Sequence, residues 1–200
     1  MQNDETAAAA LEQALGSPGR PGDPQAFSQL VEIYQRPVYN LCYRMLGDAQ
    51  DAEDAAQETF LRAYKSLKHY DHSRSFSTWL LSIAAHYCID QIRRRRAVVV
   101  SIEDLPLQDV PDPEMGVEGR VSRVEEGRKV RALLDRLEAT DRALVVMYYW
   151  YDLSYEEICQ ALKLSESAVK SRLHRARRAM AQRWSENEKA SSQLAERIIA

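Results

Sequence analysis

Apolar residues recur at the spacing of α-helices over most of this chain, whereas the apolar–polar alternation typical of strands is almost absent. Residues 25–96 divide into three predicted helices, separated by Gly47-Asp48 and by the polar loop 69–75. Pro37 is expected to kink or interrupt the first of them. The third is predicted to bury one face, formed by Trp79, Ile83, Tyr87 (or Cys88) and Ile92.

A second helical block covers residues 120–183 and divides into four predicted helices. The breaks fall at Thr140, at Asp152-Leu153 and at Leu164-Ser165. Between the blocks the helical pattern fails, because residues 97–125 hold three prolines among many acidic residues. We expect an extended acidic linker there. The alternative, a short strand in VVVSI, lacks a pairing partner.

These patterns predict an all-α protein of two small helical domains. The expected organisation is a flexible N-terminal segment 1–24, a first domain 25–96, the linker 97–125, a second domain 126–184 and a frayed tail 185–200.

Charge is segregated along the chain, although the total is only −3. The net charges are −3, +2, −5 and +3 over residues 1–24, 25–96, 97–125 and 126–200. Two basic blocks separated by an acidic connector indicate nucleic-acid contacts that the total conceals.

Several protein classes are disfavoured by what the sequence lacks. It has no run of about 18 apolar residues, and its acidic start is unlike a secretory signal. The scattered cysteines Cys42, Cys88 and Cys159 favour reduced thiols in the cytosol, rather than disulfides or a metal site. With no phosphate loop, metal cluster or catalytic triad pattern, we expect no catalytic residue, no cofactor and a cytoplasmic location.

The most specific signal is a helix-turn-helix pattern in YDLSYEEICQALKLSESAVKSRLHRARRAM. Ser154 and Glu157 have the spacing of a capping box, which starts a helix running to about Leu162. Leu164 is expected to plug the core from the turn, and Ser165 is a good N-cap for the next helix.

That next helix is predicted to have two unlike faces. At about 100° per residue, Val169, Leu173, Ala176 and Met180 fall together and would dock on the domain. Arginine can grip guanine in two places, and lysine or serine can hold phosphates, which favours DNA readout over a merely solvated basic helix. The opposite face and its flanks carry Ser167, Lys170, Ser171, Arg172, His174, Arg175, Arg177 and Arg178.

The chain as a whole resembles the sigma factors of bacterial RNA polymerase, specifically the extracytoplasmic-function (ECF) group. The resemblance covers residues 25–183 and is carried by DAEDAAQETFLRAY, FSTWLLSIAAHYCID, the acidic linker and LSYEEICQALKLSESAVKSRLHRAR. It implies that the two domains are sigma regions 2 and 4, which direct polymerase core to the −10 and −35 promoter elements. The expected −35 contacts are then Tyr155, Ser167, Lys170, Ser171, Arg172, His174, Arg175 and Arg178.

The resemblance also implies where polymerase binds. The residues expected on the clamp helices of the β′ subunit are Asp54, Gln57, Glu58, Phe60 and Tyr64. Asp51, Asp54 and Glu58 form an acidic strip suited to a basic partner helix. The alternative is a solvated acidic helix start with Phe60 and Tyr64 in the core.

The loop 69–75 and the helix after it match the promoter-melting surface, where captured bases need polar or aromatic walls and a cationic track. Trp79 is expected in the core. The sequence departs from the family at His86, where asparagine is commonest, which puts the preferred −10 base in doubt. Two alternatives stay open: His86 reads a −10 base, or it is a buried structural histidine. The expected −10 contacts are Ser66, His69, Tyr70, Arg74, Ser82, His86, Arg93 and Arg94.

Further partners follow from the resemblance: the polymerase β subunit and an anti-sigma protein. The acidic linker either threads the polymerase cleft or is a plain tether. The rival hypothesis is a helix-turn-helix regulator that binds operator DNA without polymerase, but it predicts a ligand pocket or phosphoacceptor strand in residues 25–96 that the pattern does not support.

Overall fold

The computed structural model describes residues 2–15, 24–71, 74–99 and 127–199. Within these ranges every regular element is a helix, which confirms the all-α prediction. The chain divides into two compact units, Met1–Leu105 and Pro106–Ala200. Residues 97–99 still belong to a helix, and the remainder of the predicted linker lies outside the described residues.

The first unit is built around one central helix. Its elements are α1 (Gln2–Leu15), α2 (Pro24–Leu46), α3 (Ala49–Ser66), a 3-10 turn (Leu67–His69) and α4 (Phe76–Val99). Helix α2 packs against α1, α3 and α4, and α3 packs against α4. The side chains that α2 buries most completely are Leu30, Val38, Leu41, Cys42 and Met45.

Helix α3 begins where the sequence predicted a break. Gly47 has a φ of 83°, and the Asp48 carboxylate accepts a hydrogen bond from the Asp51 backbone N–H at 2.9 Å. Its packed face consists of small residues, Ala52, Ala55, Ala56, Thr59 and Ala63. The larger side chains of α3 are therefore left for its outer face.

One prediction about the first unit was wrong, and one alternative of a second is excluded. Residues 2–15, expected to be flexible, form α1, because Ala7, Ala10 and Ala14 share one face that is buried. Of the two effects predicted for Pro37, a kink or an interruption, the interruption does not occur, and the buried Leu30 and Val38 lie on either side of it in α2. One lost backbone bond costs about 3 kcal/mol in a helix interior, which such burial can offset.

The predicted buried face of α4 is confirmed in part. Cys88 and Ile92 are buried as predicted, whereas Trp79, Ile83 and Tyr87 are only half-buried, and Leu80 and Ala84 are buried beside them. Because α4 packs against both α2 and α3, its wide buried face is centred on smaller side chains than the pattern suggested.

The second unit contains the four helices that the sequence predicted. They are α5 (residues 127–135), α6 (Ala139–Trp150), α7 (Tyr155–Leu162) and α8 (Glu166–Ile199). Helix α8 packs on α6 and α7 through a core that includes Leu144, Met147 and Ile158. Helix α8 continues to Ile199, through most of the tail 185–200 that was predicted to fray.

Candidate nucleic-acid and polymerase interfaces

The helix-turn-helix is defined by caps that the sequence predicted. Ser154 Oγ accepts from the Glu157 N–H at 3.2 Å, and the Ser154 N–H donates to Glu157 Oε2 at 2.9 Å, which closes the capping box. Lys163 takes the left-handed conformation with φ 54°, and Ser165 Oγ accepts from the Ala168 N–H at 3.3 Å. Leu164 in the turn is only half-buried.

Helix α8 has the two predicted faces. Val169, Leu173 and Ala176 are buried, and Met180 is half-buried at the edge of the same face. The opposite face is exposed and brings six of the predicted −35 residues together: Ser167, Lys170, Ser171, His174, Arg175 and Arg178. This face can offer hydroxyl, imidazole and guanidinium donors to a groove while the helix stays docked.

Lys170 is held at the edge of this face by two neighbours. Its ammonium lies 2.5 Å from Glu166 Oε1 and 5.9 Å from the centre of the Tyr155 ring. The hydrogen bond with Glu166 is the main reason that the pKa of Lys170 is raised. Tyr155 is half-buried and stacks on Tyr148 with ring centres 5.5 Å apart, so it lies beside the exposed face rather than on it.

The two arginines predicted on the flanks of α8 turn toward their own domain. Arg172 Nη1 lies 2.8 Å from Asp141 Oδ1 and 3.4 Å from Glu138 Oε2. The Arg177 guanidinium lies 5.0 Å from the Tyr148 ring centre, a cation–π contact. The structure therefore separates Arg172 from the other predicted −35 residues.

The outer face of α3 presents the predicted polymerase-binding residues. Asp54, Gln57 and Tyr64 are exposed, whereas Glu58 and Phe60 are half-buried. Sequence reasoning missed Leu61, which is 54% exposed although apolar. Its position three residues after Glu58 and four after Gln57 is the signal that could have found it.

The acidic strip on α3 is less negative than its sequence suggested. Glu58 Oε1 accepts from Arg62 Nε at 2.7 Å, and Asp51 Oδ1 lies 2.5 Å from Arg95 Nη2 of α4. Asp54 accepts from Gln50 at 3.4 Å and has no cation paired with it among the described residues. Because two of its three carboxylates are paired with arginines, this face is marked by the exposed apolar side chain of Leu61 as much as by its negative charge.

The predicted −10 residues do not all line one open pocket. Tyr70, expected as a pocket wall, is only 8% exposed and packs on Phe76 and Trp79 with ring centres 5.6 and 5.1 Å away. Its hydroxyl donates to the Arg74 carbonyl oxygen, and burial raises the pKa of this phenol. Tyr70 therefore packs in the core and holds the loop through its hydroxyl, instead of lining an open pocket.

The other predicted −10 residues lie at the surface, in two groups. His69 and Arg74 are exposed at the loop, where Arg74 lies 3.6 Å from Asp71. Ser66, beside them in sequence, is half-buried, and its hydroxyl donates to the Arg62 carbonyl at 2.7 Å. The second group is on α4 and comprises the half-buried Ser82 and His86 and the exposed Arg93 and Arg94.

His86 has a defined ring orientation. Its Nδ1 lies 2.7 Å from the Ser82 carbonyl oxygen, one turn earlier in α4. Because a carbonyl can only accept, Nδ1 carries the hydrogen, and in the neutral ring Nε2 is then an acceptor. The Ser82 hydroxyl donates to the Trp79 carbonyl at 2.6 Å.

Two further observations bear on the class of protein. Among the described residues there is no cluster of histidine, cysteine, aspartate or glutamate able to hold a metal ion. No helix in the same ranges combines the length and the apolar character needed to cross a bilayer.

Comparisons with known proteins match both units. The Sigma-70 region 2 family matches residues 30–98, and the Sigma-70 region 4 family matches residues 127–180. The ECF RNA polymerase sigma factor SigW of Bacillus subtilis is 38% identical over 167 residues, which cover 80% of this chain and 89% of SigW. SigX of the same organism is 30% identical over 154 residues, covering 76% of this chain and 79% of SigX.

A solved structure supports the same grouping. CnrH, in complex with the cytosolic domain of CnrY, aligns with a TM-score of 0.64 at 25% identity, covering 93% of this chain and 99% of CnrH. With both sigma regions matched and nearly nine-tenths of SigW covered, the chain belongs to the ECF RNA polymerase sigma factors.

Proposed function

We propose that this sigma factor reads the −35 element with the exposed face of α8, contacts −10 DNA with α4 and the loop before it, and binds polymerase core with the outer face of α3. The proposed outcome is recruitment of core polymerase to particular promoters and opening of the DNA at −10. The chain supplies binding and orientation, while the polymerase supplies the chemistry, so we propose no catalytic activity and no cofactor.

The observation that carries this proposal is the division of α8 into two faces. Val169, Leu173 and Ala176 hold the helix on its domain, while Ser171 and Arg175 stand exposed on the other side. A docked helix with a polar, cationic outer face fits the width of a major groove.

Polymerase binding is supported by the outer face of α3. Leu61 and Tyr64 are more than half exposed, at 54% and 52%, and flank a helix edge that also carries Gln57 and Glu58. Large apolar side chains beside polar groups are typical of protein interfaces rather than of solvated helix surfaces. Helix α3 also buries its small residues inward, so this outer face is available without unfolding the unit.

Contact with −10 DNA is supported by the cations and the ring that α4 presents. Arg93 and Arg94 are exposed near its end and can hold phosphates, and His86 lies about two turns earlier. The loop adds His69 and Arg74 at the surface.

The experiment that tests the function is assembly with purified core polymerase, followed by size-exclusion chromatography and transcription from a promoter library. We expect the chain to co-elute with core, to bind free duplex DNA only weakly, and to direct initiation from a subset of promoters. Tight operator binding by a chain that elutes apart from core would instead support the rival regulator hypothesis.

Regulation by a protein partner is the second part of the proposal. CnrH was solved with the cytosolic domain of CnrY, and it covers 93% of this chain. We propose that an anti-sigma protein similarly restrains this chain, in the bacterial cytoplasm where polymerase and promoters are found. Co-purification of the chain with its native partners, followed by release of active sigma factor, tests this part.

A further inference from the structure

Arg172 of α8 forms ion pairs with two carboxylates that lie far from it in the sequence. Its Nη1 lies 2.8 Å from Asp141 Oδ1 and 3.4 Å from Glu138 Oε2, both at the start of α6. The Arg172 side chain is 32% exposed and that of Asp141 only 19%. The guanidinium is thus partly withdrawn from solvent into a socket, which we define as Glu138 and Asp141.

The socket is built by α6 rather than by α8. Glu138 is the N-cap of α6, and its Oε2 accepts from the Thr140 N–H at 3.2 Å as well as from Arg172. Asp141 lies in the first helical turn, where the positive end of the helix dipole stabilises a carboxylate. Both negative charges are therefore held in place at the start of a neighbouring helix of the same unit.

The position of Arg172 on α8 makes this contact a constraint on rotation. It lies between Ser171, which is exposed on the proposed groove face, and Leu173, which is buried in the core. Each residue advances about 100° around a helix, so the Arg172 side chain leaves α8 between these two faces. An ion pair at this angle opposes rotation of α8 about its own axis. The apolar contacts of Leu173 and Ala176 oppose this rotation less, because hydrophobic burial has no preferred direction.

We infer that Arg172 is a positioning residue: by pairing with Asp141 and Glu138 it sets the angle at which α8 presents Lys170, Ser171 and Arg175, and it does not itself contact DNA. This inference rests on the proposed −35 reading by α8, and it removes Arg172 from the set of DNA contacts predicted from the sequence.

The salt dependence of promoter binding separates the two roles. Each protein–phosphate contact contributes about 0.9 to the slope of log affinity against log salt, so losing one lowers the slope by about that amount. Holoenzyme assembled from core polymerase and the full chain is titrated with a promoter duplex at several salt concentrations. We expect Arg172→Ala and Asp141→Ala to weaken binding severalfold and to change the slope by the same amount, because both remove the same ion pair, whereas Arg178→Ala, on the exposed face, lowers the slope without any change at Asp141.

Base preference and rescue distinguish positioning from a simple loss of fold. In a −35 library, Arg172→Ala should relax discrimination at several positions together, because the whole face is misaligned. Pairing Arg172→Glu with Asp141→Arg should restore part of that discrimination, and Asp141→Ala should add little to Arg172→Ala. A variant that merely unfolds would lose active protein without changing base preference.

The outcomes that overturn each hypothesis differ. A salt slope lowered by Arg172→Ala but left unchanged by Asp141→Ala would show a phosphate contact of Arg172 itself and overturn the positioning role. If the losses in free energy of unfolding caused by Arg172→Ala and Asp141→Ala were additive in the double variant, the two residues would not interact, which would also overturn the positioning role. This measurement needs no DNA. Failure of wild-type holoenzyme to bind any promoter would instead overturn the proposed function.

Discussion

Arg95 near the end of α4 pairs with Asp51 in the first turn of α3, with Nη2 and Oδ1 2.5 Å apart. The hydrogen bond with Asp51 is the main cause that raises the pKa of Arg95. The run of four arginines that ends the first basic block therefore has two kinds of member. Both Arg94 and Arg95 are exposed, but Arg95 also joins two helices.

The first prediction is that Arg95→Ala lowers the free energy of unfolding of the first unit, whereas Arg94→Ala leaves it unchanged. The expected loss is at most about 1 kcal/mol, because the pair is well exposed to solvent. Trp150 and Trp184 can be replaced by phenylalanine so that Trp79 alone reports urea unfolding. Equal destabilisation by both variants would show that the Asp51 pair contributes nothing particular.

Features that depend on neighbouring residues were readable from the sequence. Ser154 and Glu157 are three residues apart and form the predicted capping box, and the buried spacing of Val169, Leu173 and Ala176 follows from helix geometry alone. Such signals defined the helices of the second unit and the inner face of α8.

Features that depend on distant residues were not readable. Asp141 precedes Arg172 by 31 residues, and no local pattern indicates that the two meet, so Arg172 counted as a DNA contact. Tyr70 looked like a pocket wall because its loop is polar, yet Phe76 and Trp79 draw it into the core. Both sets of contacts arise from packing between helices, which the local sequence does not encode.

The second prediction concerns the outer face of α3. Leu61→Asp should weaken holoenzyme assembly markedly, because a charge would replace an exposed apolar contact at the proposed interface. Gln35→Asp, also exposed but on α2, is the matched control and should assemble normally. Affinity for core is measured by fluorescence anisotropy of the labelled chain. Equal affinity of the two variants would move the polymerase interface away from this part of α3.

The third prediction concerns thiol reactivity. Cys42 and Cys88 are buried and Cys159 is half-buried, so only Cys159 should react with an alkylating reagent in the native chain. A hydrogen bond with Cys42 and burial raise the pKa of Cys88 well above its usual range, and burial raises that of Cys159. Since the thiolate is the nucleophile, alkylation of Cys159 should be slow at pH 7 and should accelerate as the pH rises.

Mass spectrometry of the alkylated chain checks this assignment. Cys159→Ala should abolish native labelling, and urea should expose the two remaining thiols. Rapid labelling of Cys88 in the folded chain would show that the α2–α4 contact opens more readily than its burial indicates.

The fourth prediction concerns Glu166, which pairs with Lys170 at 2.5 Å. Glu166→Gln removes a negative charge beside the proposed DNA face and releases the Lys170 ammonium, so promoter affinity should rise and its salt slope should steepen. Glu186→Gln, exposed farther along α8, is the control and should change neither. Binding is measured with holoenzyme and a promoter duplex. Weaker binding by Glu166→Gln would mean that the pair holds Lys170 in its productive position.

The fifth prediction is that His86 selects one base of the −10 element. With Nδ1 donating to the Ser82 carbonyl at 2.7 Å, the neutral ring can offer only the Nε2 acceptor, whereas asparagine offers both a donor and an acceptor. His86→Asn should therefore change base preference at one −10 position and leave −35 preference unaltered. Initiation from two promoter libraries, each randomised in one element, measures this. A drop in thermal stability with unchanged base preference at −10 would instead identify His86 as a packing residue. Its half-buried ring would then stabilise α4 through the Ser82 contact and would not read a base.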